Sequence, residues 1–161
     1  MAPQKDEKLI ELEPNFTLWR LLDHTRFMIA RLREKELDQF GLTPEQTHIL
    51  FILAHHDGPA SINYIVEITQ RQHHSISTQI DRMTKQGLVN RKRSAEDARR
   101  YEVAITKRGL ALLNKVTRDS VEQTFSCLAE EDKAALRKSL KCLLARAYNL
   151  NSKVYQTHWG E

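Results

Sequence analysis

Glycine and proline are scarce in this chain, five and four in 161 residues. Most of it must therefore run in long, uninterrupted elements rather than in turn-rich strands. Cysteine is scarcer still: Cys127 and Cys142 alone cannot build a disulfide framework, and they read as buried spectators rather than reactive thiols. No apolar run reaches the length of a membrane span. The stretch from Met1 to Pro14 is polar and mixed in charge. It lacks the apolar centre of a secretion signal, which points to a cytoplasmic protein. Also missing are a glycine-rich phosphate loop, a nucleophile elbow and a pair of metal ligands on one helix face, so no enzyme and no cofactor is expected.

What is present is an apolar content of 40% and a charged content of 29%. That balance suits one globular domain spanning residues 1–161. The net charge is +4, but it is unevenly spread. Residues 71–108 hold ten Lys/Arg against four Asp/Glu, a local excess of +6, and the remainder is −2. A local excess of this kind attracts phosphates.

Apolar spacing predicts a long first helix over about 16–40, with Leu18, Leu22, Ile29 and Leu32 on one seam. Gly41 ends it. Thr43-Pro44-Glu45-Gln46 opens a second helix, with Thr43 as N-cap, Pro44 at the first helical position and Gln46 placed for a capping box. Asp57-Gly58-Pro59 stops that helix. Ser61 caps a short third helix to about Thr69. A fourth runs from His73 to Gln86, with Gly87 as its stop. Leu88 to Arg93 and Tyr101 to Ile105 form a hairpin around a tip that carries Arg99 and Arg100. Thr106 starts a fifth helix that is expected to continue to about Cys127, and a last helix covers Glu130 to Asn151. In that last helix Leu136, Leu140, Leu143, Ala147, Leu150 and Val154 make a heptad-like stripe.

The order is helix, helix, helix–turn–helix, hairpin, helix, helix. The fold class is mainly α with a small β-hairpin wing: a winged helix-turn-helix flanked by long N- and C-terminal dimerisation helices. Residues 42–110 make the DNA-binding lobe, and 16–40 with 111–155 make the helical dimerisation region. A homodimer is expected, because a lone reading helix and hairpin contact too few bases for useful specificity.

On the fourth helix Ile76, Ile80 and Met83 project together toward the core. His74, Ser75, Thr78, Asp81, Arg82 and Lys85 project away from it. Ser75, Thr78 and Arg82 form a row that can reach base edges and phosphates, with His74 and Ser77 flanking it. Asp81 would repel phosphate, so it should pair with Arg82 or Lys85 or lie off the contact surface. A cationic tip of Arg99 and Arg100 suits a narrow minor groove, and Asp97 reads as a local brace for it.

These residues resemble the MarR (multiple antibiotic resistance regulator) family of winged-helix transcription factors. The carrying segments are Leu42 to Gln46, Ser75 to Met83, Gly87-Leu88-Val89 and, most specifically, Asp97 to Thr106 with Gly109 behind it. The resemblance implies a homodimer on a near-palindromic double-stranded DNA operator, acting more as repressor than activator. The fourth helices would enter successive major grooves and the wings the flanking minor grooves. It also implies control by a small effector, often an aromatic acid, between the dimer helices and the DNA-binding lobe. Trp19, Arg26, Phe51, His55 and Phe125 are the candidates to line that pocket. Thr78 stands where many members carry a basic residue, and His74 where a small hydroxyl is frequent. Both departures bear on the operator sequence.

Two other readings belong to different classes. One is a protein-interaction module using the same helix and hairpin. The other is a thiol-responsive regulator using Cys127 or Cys142. Metal binding is not expected from the pairs His55-His56 and His73-His74, since neighbours on a helix point about 100° apart. His56 reads instead as a cap or surface residue.

Overall fold

The computed structural model describes residues 13–94 and 101–151. Seven helices and three strands are present among them: α1 (Pro14–Asp38), α2 (Pro44–His55), β1 (Ala60–Ser61), α3 (Ile62–Thr69), α4 (His73–Lys85), β2 (Val89–Arg93), β3 (Tyr101–Ile105), α5 (Lys107–Lys115), α6 (Asp119–Phe125) and α7 (Glu130–Leu150). The strands form one antiparallel sheet in the order β1-β3-β2.

The local signals act as their chemistry dictates. The Thr43 hydroxyl accepts from the Gln46 amide at 3.2 Å, and the Gln46 side-chain carbonyl accepts from the Thr43 amide at 3.0 Å, closing the capping box. The remaining Gln46 amide group donates to Gln86 Oε1 at 2.8 Å, tying the start of α2 to the end of α4. Gly87 takes φ of +71° after α4, which lets the Leu88 amide reach back to the Met83 carbonyl. His56 ends α2, its Nδ1 lying 3.1 Å from the Gly58 carbonyl.

The hydrophobic core lies almost entirely in the lobe from α2 to β3. Ile49, Leu50, Ile65, Ile76, Ile80, Met83, Val89 and Val103 are fully enclosed there. Ile76, Ile80 and Met83 are the inward face read from the sequence of α4. Ile105 packs against the same core from its edge. The flanking helices are different. Among the described residues α7 has no buried residue, and α1 has only Glu36 and Leu37. Leu18, Leu22, Leu32, Leu140 and Leu143 of the two seams all remain exposed in the single chain.

Three features differ from the sequence reading. Strand β1 was not anticipated; it is two residues long, and Ser61 both pairs with Glu102 and caps α3 through the Tyr64 amide. The expected single helix from Thr106 to Cys127 is broken at 116–118 into α5 and α6. The break survives because Glu36, far away on α1, accepts from the Asp119 amide at 2.8 Å and replaces the lost intrahelical bonding. Finally, Cys127 and Cys142 are exposed rather than buried. They sit on α7 and the turn before it, outside the lobe that holds the core.

Candidate nucleic-acid interface

Helix α4 buries one face and leaves the other open. Ile76, Gln79, Ile80 and Met83 are buried, whereas His74, Ser75 and Arg82 are exposed and Ser77 and Thr78 are half-buried. The helix follows α3 through a turn in which Gln70 takes φ of +53°. Among the described residues, the Ser75, Thr78 and Arg82 side chains have no hydrogen-bond partner in the protein. Two hydroxyls and a guanidinium are thus presented together, free to donate to carbonyl, ring-nitrogen or phosphate acceptors.

The hairpin is fastened to this helix by a contact that helical spacing did not reveal. Asp81 accepts from Arg91 Nη1 on β2 at 2.5 Å. It does not use Arg82 or Lys85, the partners expected from the sequence. The Arg91 guanidinium also lies 4.1 Å from the centre of the Tyr101 ring on β3. One arginine therefore straps both strands of the hairpin to α4. The same contact neutralises the one carboxylate on the open face of α4 that would repel an anionic partner, and it leaves Arg82 uncommitted. Ten residues separate Asp81 from Arg91, so only the folded packing brings them together.

Behind the hairpin, the start of α5 closes on the start of β2. Thr106 caps α5 by accepting from the Gly109 amide at 2.9 Å, and its hydroxyl donates to the Gly87 carbonyl at 2.7 Å. The hairpin tip, with Asp97, Arg99 and Arg100, lies outside the described residues.

The five residues singled out for a small-molecule pocket do not share one cavity. Trp19 and Arg26 line a shallow depression of about 340 Å³ along α1. Phe125 lines a groove of about 500 Å³ between α6 and α7. Phe51 and His55 lie in a third cleft of about 910 Å³, where α1, α2, α5 and the 116–118 break meet. Their rings lie with centroids 4.1 Å apart and planes tilted by 33°, in a lining they share with Leu110, Leu113, Arg33 and Arg118. The two arginines were not identified from the sequence; each looked like an ordinary charged residue on a helix or loop. Among the described residues, no group of three His, Cys, Asp or Glu is arranged to hold a metal ion, and no helix is long and apolar enough to cross a membrane.

Comparison with known proteins agrees with this geometry. A family model described as MarR family matches residues 40–100, the stretch from α2 to the hairpin tip. The HTH-type transcriptional regulator PecS of Dickeya dadantii is 26% identical over 136 residues, which cover 81% of each chain. The solved structure of AbsC, a MarR family transcriptional regulator from Streptomyces coelicolor, superposes with a TM-score of 0.79 at 29% identity, covering 88% of this chain and 98% of that one. The S. aureus MepR–DNA complex superposes with a TM-score of 0.73 at 26% identity, covering 84% and 99%.

Proposed function

We propose that the chain, which is similar to MarR family transcriptional regulators, is a homodimeric repressor of that kind that binds a near-palindromic operator and answers to a small effector. The observation that carries this reading is the open row of Ser75, Thr78 and Arg82 on α4, framed by a hairpin strapped to the same helix. In this reading α4 lies in the major groove, where the hydroxyls and Arg82 meet base edges and phosphates, with His74 and Ser77 at the flanks. The hairpin tip, Arg99 and Arg100 braced by Asp97, reaches the adjacent minor groove.

The exposed seams of α1 and α7 support the homodimer. Trp19, Leu22, Phe27, Leu140 and Leu143 are open in one chain, and a symmetric partner is the simplest way to cover such a surface. The cleft around Phe51 and His55 supports the effector. Its paired rings and leucines suit an aromatic body, and Arg33 and Arg118 suit a carboxylate.

Replacing Arg82 tests the reading. Arg82→Ala is expected to weaken binding to the operator by about 1–3 kcal/mol, measured by fluorescence anisotropy, with the circular dichroism spectrum unchanged. Unaltered affinity in a correctly folded variant would remove α4 from the DNA surface.

A further inference from the structure

The DNA-binding lobe is joined to the flanking helices by two short lengths of chain, 39–43 from α1 into α2 and 116–118 from α5 into α6. Two such connections lying close together make a hinge unless something ties them. One side chain does so. Glu36, in the last turn of α1, is only 8% exposed, and among the described residues of α1 only Leu37 is buried with it. Its Oε1 accepts from Thr117 Oγ1 at 2.6 Å and from the Asp119 amide at 2.8 Å, and its Oε2 accepts from the Ser120 hydroxyl. Arg33, one turn earlier on α1, donates from Nη1 to Glu36 Oε2 and to the Thr117 carbonyl, each at 2.6 Å. The two side chains are 20% and 10% exposed, so salt screens the pair weakly. Over apolar packing of the same volume, a buried charged cluster gains little stability. What it does well is select one geometry, because each of its bonds has a direction.

We propose that Glu36 is a positioning residue for operator binding: by tying residues 117–120 to the end of α1 it fixes the angle of the DNA-binding lobe on the flanking helices, and so sets the separation of the two α4 helices in the dimer. This rests on the homodimer reading. In that reading the seams of α1 and α7 are held by the second copy, so the flank is the fixed frame and each lobe meets it at this joint. Half-sites on a duplex dictate where the two α4 helices must lie. One added base pair displaces a half-site by about 3.4 Å and turns it by about 36°. A lobe tied by Glu36 does not follow that displacement. An untied lobe follows it, but the freedom it has gained must be given up on binding even the correct site. Loss of the tie therefore has a signature that loss of folding lacks: weaker binding to the best operator together with tolerance of wrong spacings.

The test is a spacing series. The full-length protein and its Glu36→Gln and Thr117→Val variants are titrated by fluorescence anisotropy against the inverted repeat from the upstream region, against the same repeat with one or two base pairs inserted between its halves, and against a single half-site. The wild type is expected to lose about thirtyfold or more in affinity when one base pair is inserted. Glu36→Gln is expected to bind the unaltered repeat about three- to tenfold more weakly and to lose no more than about threefold on the same insertion. Thr117→Val removes one donor and should fall between the two; it carries the comparison if Glu36→Gln does not fold. Binding to the single half-site should stay within about twofold of the wild type in both variants, because α4 and the hairpin are untouched. If Glu36→Gln, folded by circular dichroism and dimeric by sedimentation, keeps the wild-type penalty for insertion, or loses half-site binding in step with the repeat, the carboxylate only supports the fold and its positioning role is overturned. If the wild type is itself indifferent to spacing, or sediments as a monomer, the homodimer reading falls and takes this role with it.

Discussion

Gly109→Ala is expected to destabilise the protein by about 3–4 kcal/mol, although alanine is the better helix former by about 1 kcal/mol. Gly109 is buried near the start of α5. A Cβ there would stand 2.2 Å from the Leu88 carbonyl oxygen and 3.1 Å from Ile105 Cγ1. The carbonyl cannot retreat cheaply. It accepts from the Thr106 amide at 3.1 Å and shares, at 3.1 Å, the Thr106 hydroxyl proton that the Gly87 carbonyl holds at 2.7 Å, so it is held by the very residue that caps α5. Relief requires either lifting α5 off the sheet or breaking those bonds, and both would move the hairpin relative to α4. Urea denaturation of the wild type and the variant measures the effect. A difference under about 0.5 kcal/mol would place Gly109 among ordinary surface helix positions and contradict the close packing of α5 on β2.

Acid should weaken the protein through Glu36. Burial pushes its carboxyl up, but hydrogen bonds from Ser120, Thr117 and Arg33 and from the Ser120 amide outweigh burial and bring it down to about 2 from 4.5. The folded value lies below the unfolded one. The contribution to stability is therefore complete above pH 4.5 and is lost as the pH falls toward 2. The separation corresponds to about 3 kcal/mol. Glu36→Gln removes the charge and should show a correspondingly shallower decline over that window, together with lower stability at pH 7. Parallel stability–pH curves for the wild type and the variant would show that the carboxylate is not held as its contacts require.

The α2–α4 region and the hairpin were legible because their signals are local. Thr43 and Gln46 lie three residues apart, Gly87 follows directly on α4, and the apolar period of α4 separates its buried and open faces without help from the rest of the chain. What was not legible depends on partners distant in sequence. The break between α5 and α6 has no strong helix stop of its own; it is stabilised by Glu36, more than eighty residues earlier, which reads as one charged residue among many on a long helix. Asp81 was correctly suspected of needing a counter-ion, but helical spacing offers only Arg82 and Lys85, and its partner Arg91 lies on a strand. β1 is too short for any alternation to show. The pocket candidates were chosen as aromatic and cationic residue types, and type alone does not say that Trp19, Phe51 and Phe125 face three different clefts.

The difference between lobe and flank has the same origin. The lobe closes its own core, so one chain is enough to settle it. The seams of α1 and α7 are apolar by pattern and exposed in the single chain, which leaves their burial to a second copy in the proposed homodimer.

DNA binding by the open face of α4 is tested most directly by titrating the protein against a duplex carrying the inverted repeat from its own upstream region, beside a scrambled duplex, over a series of salt concentrations. The expected result is preference for the repeat by about a thousandfold or more, with affinity falling steeply and linearly on a log–log plot as phosphate contacts release counter-ions. Equal affinity for both duplexes, or a complex indifferent to salt, would contradict it.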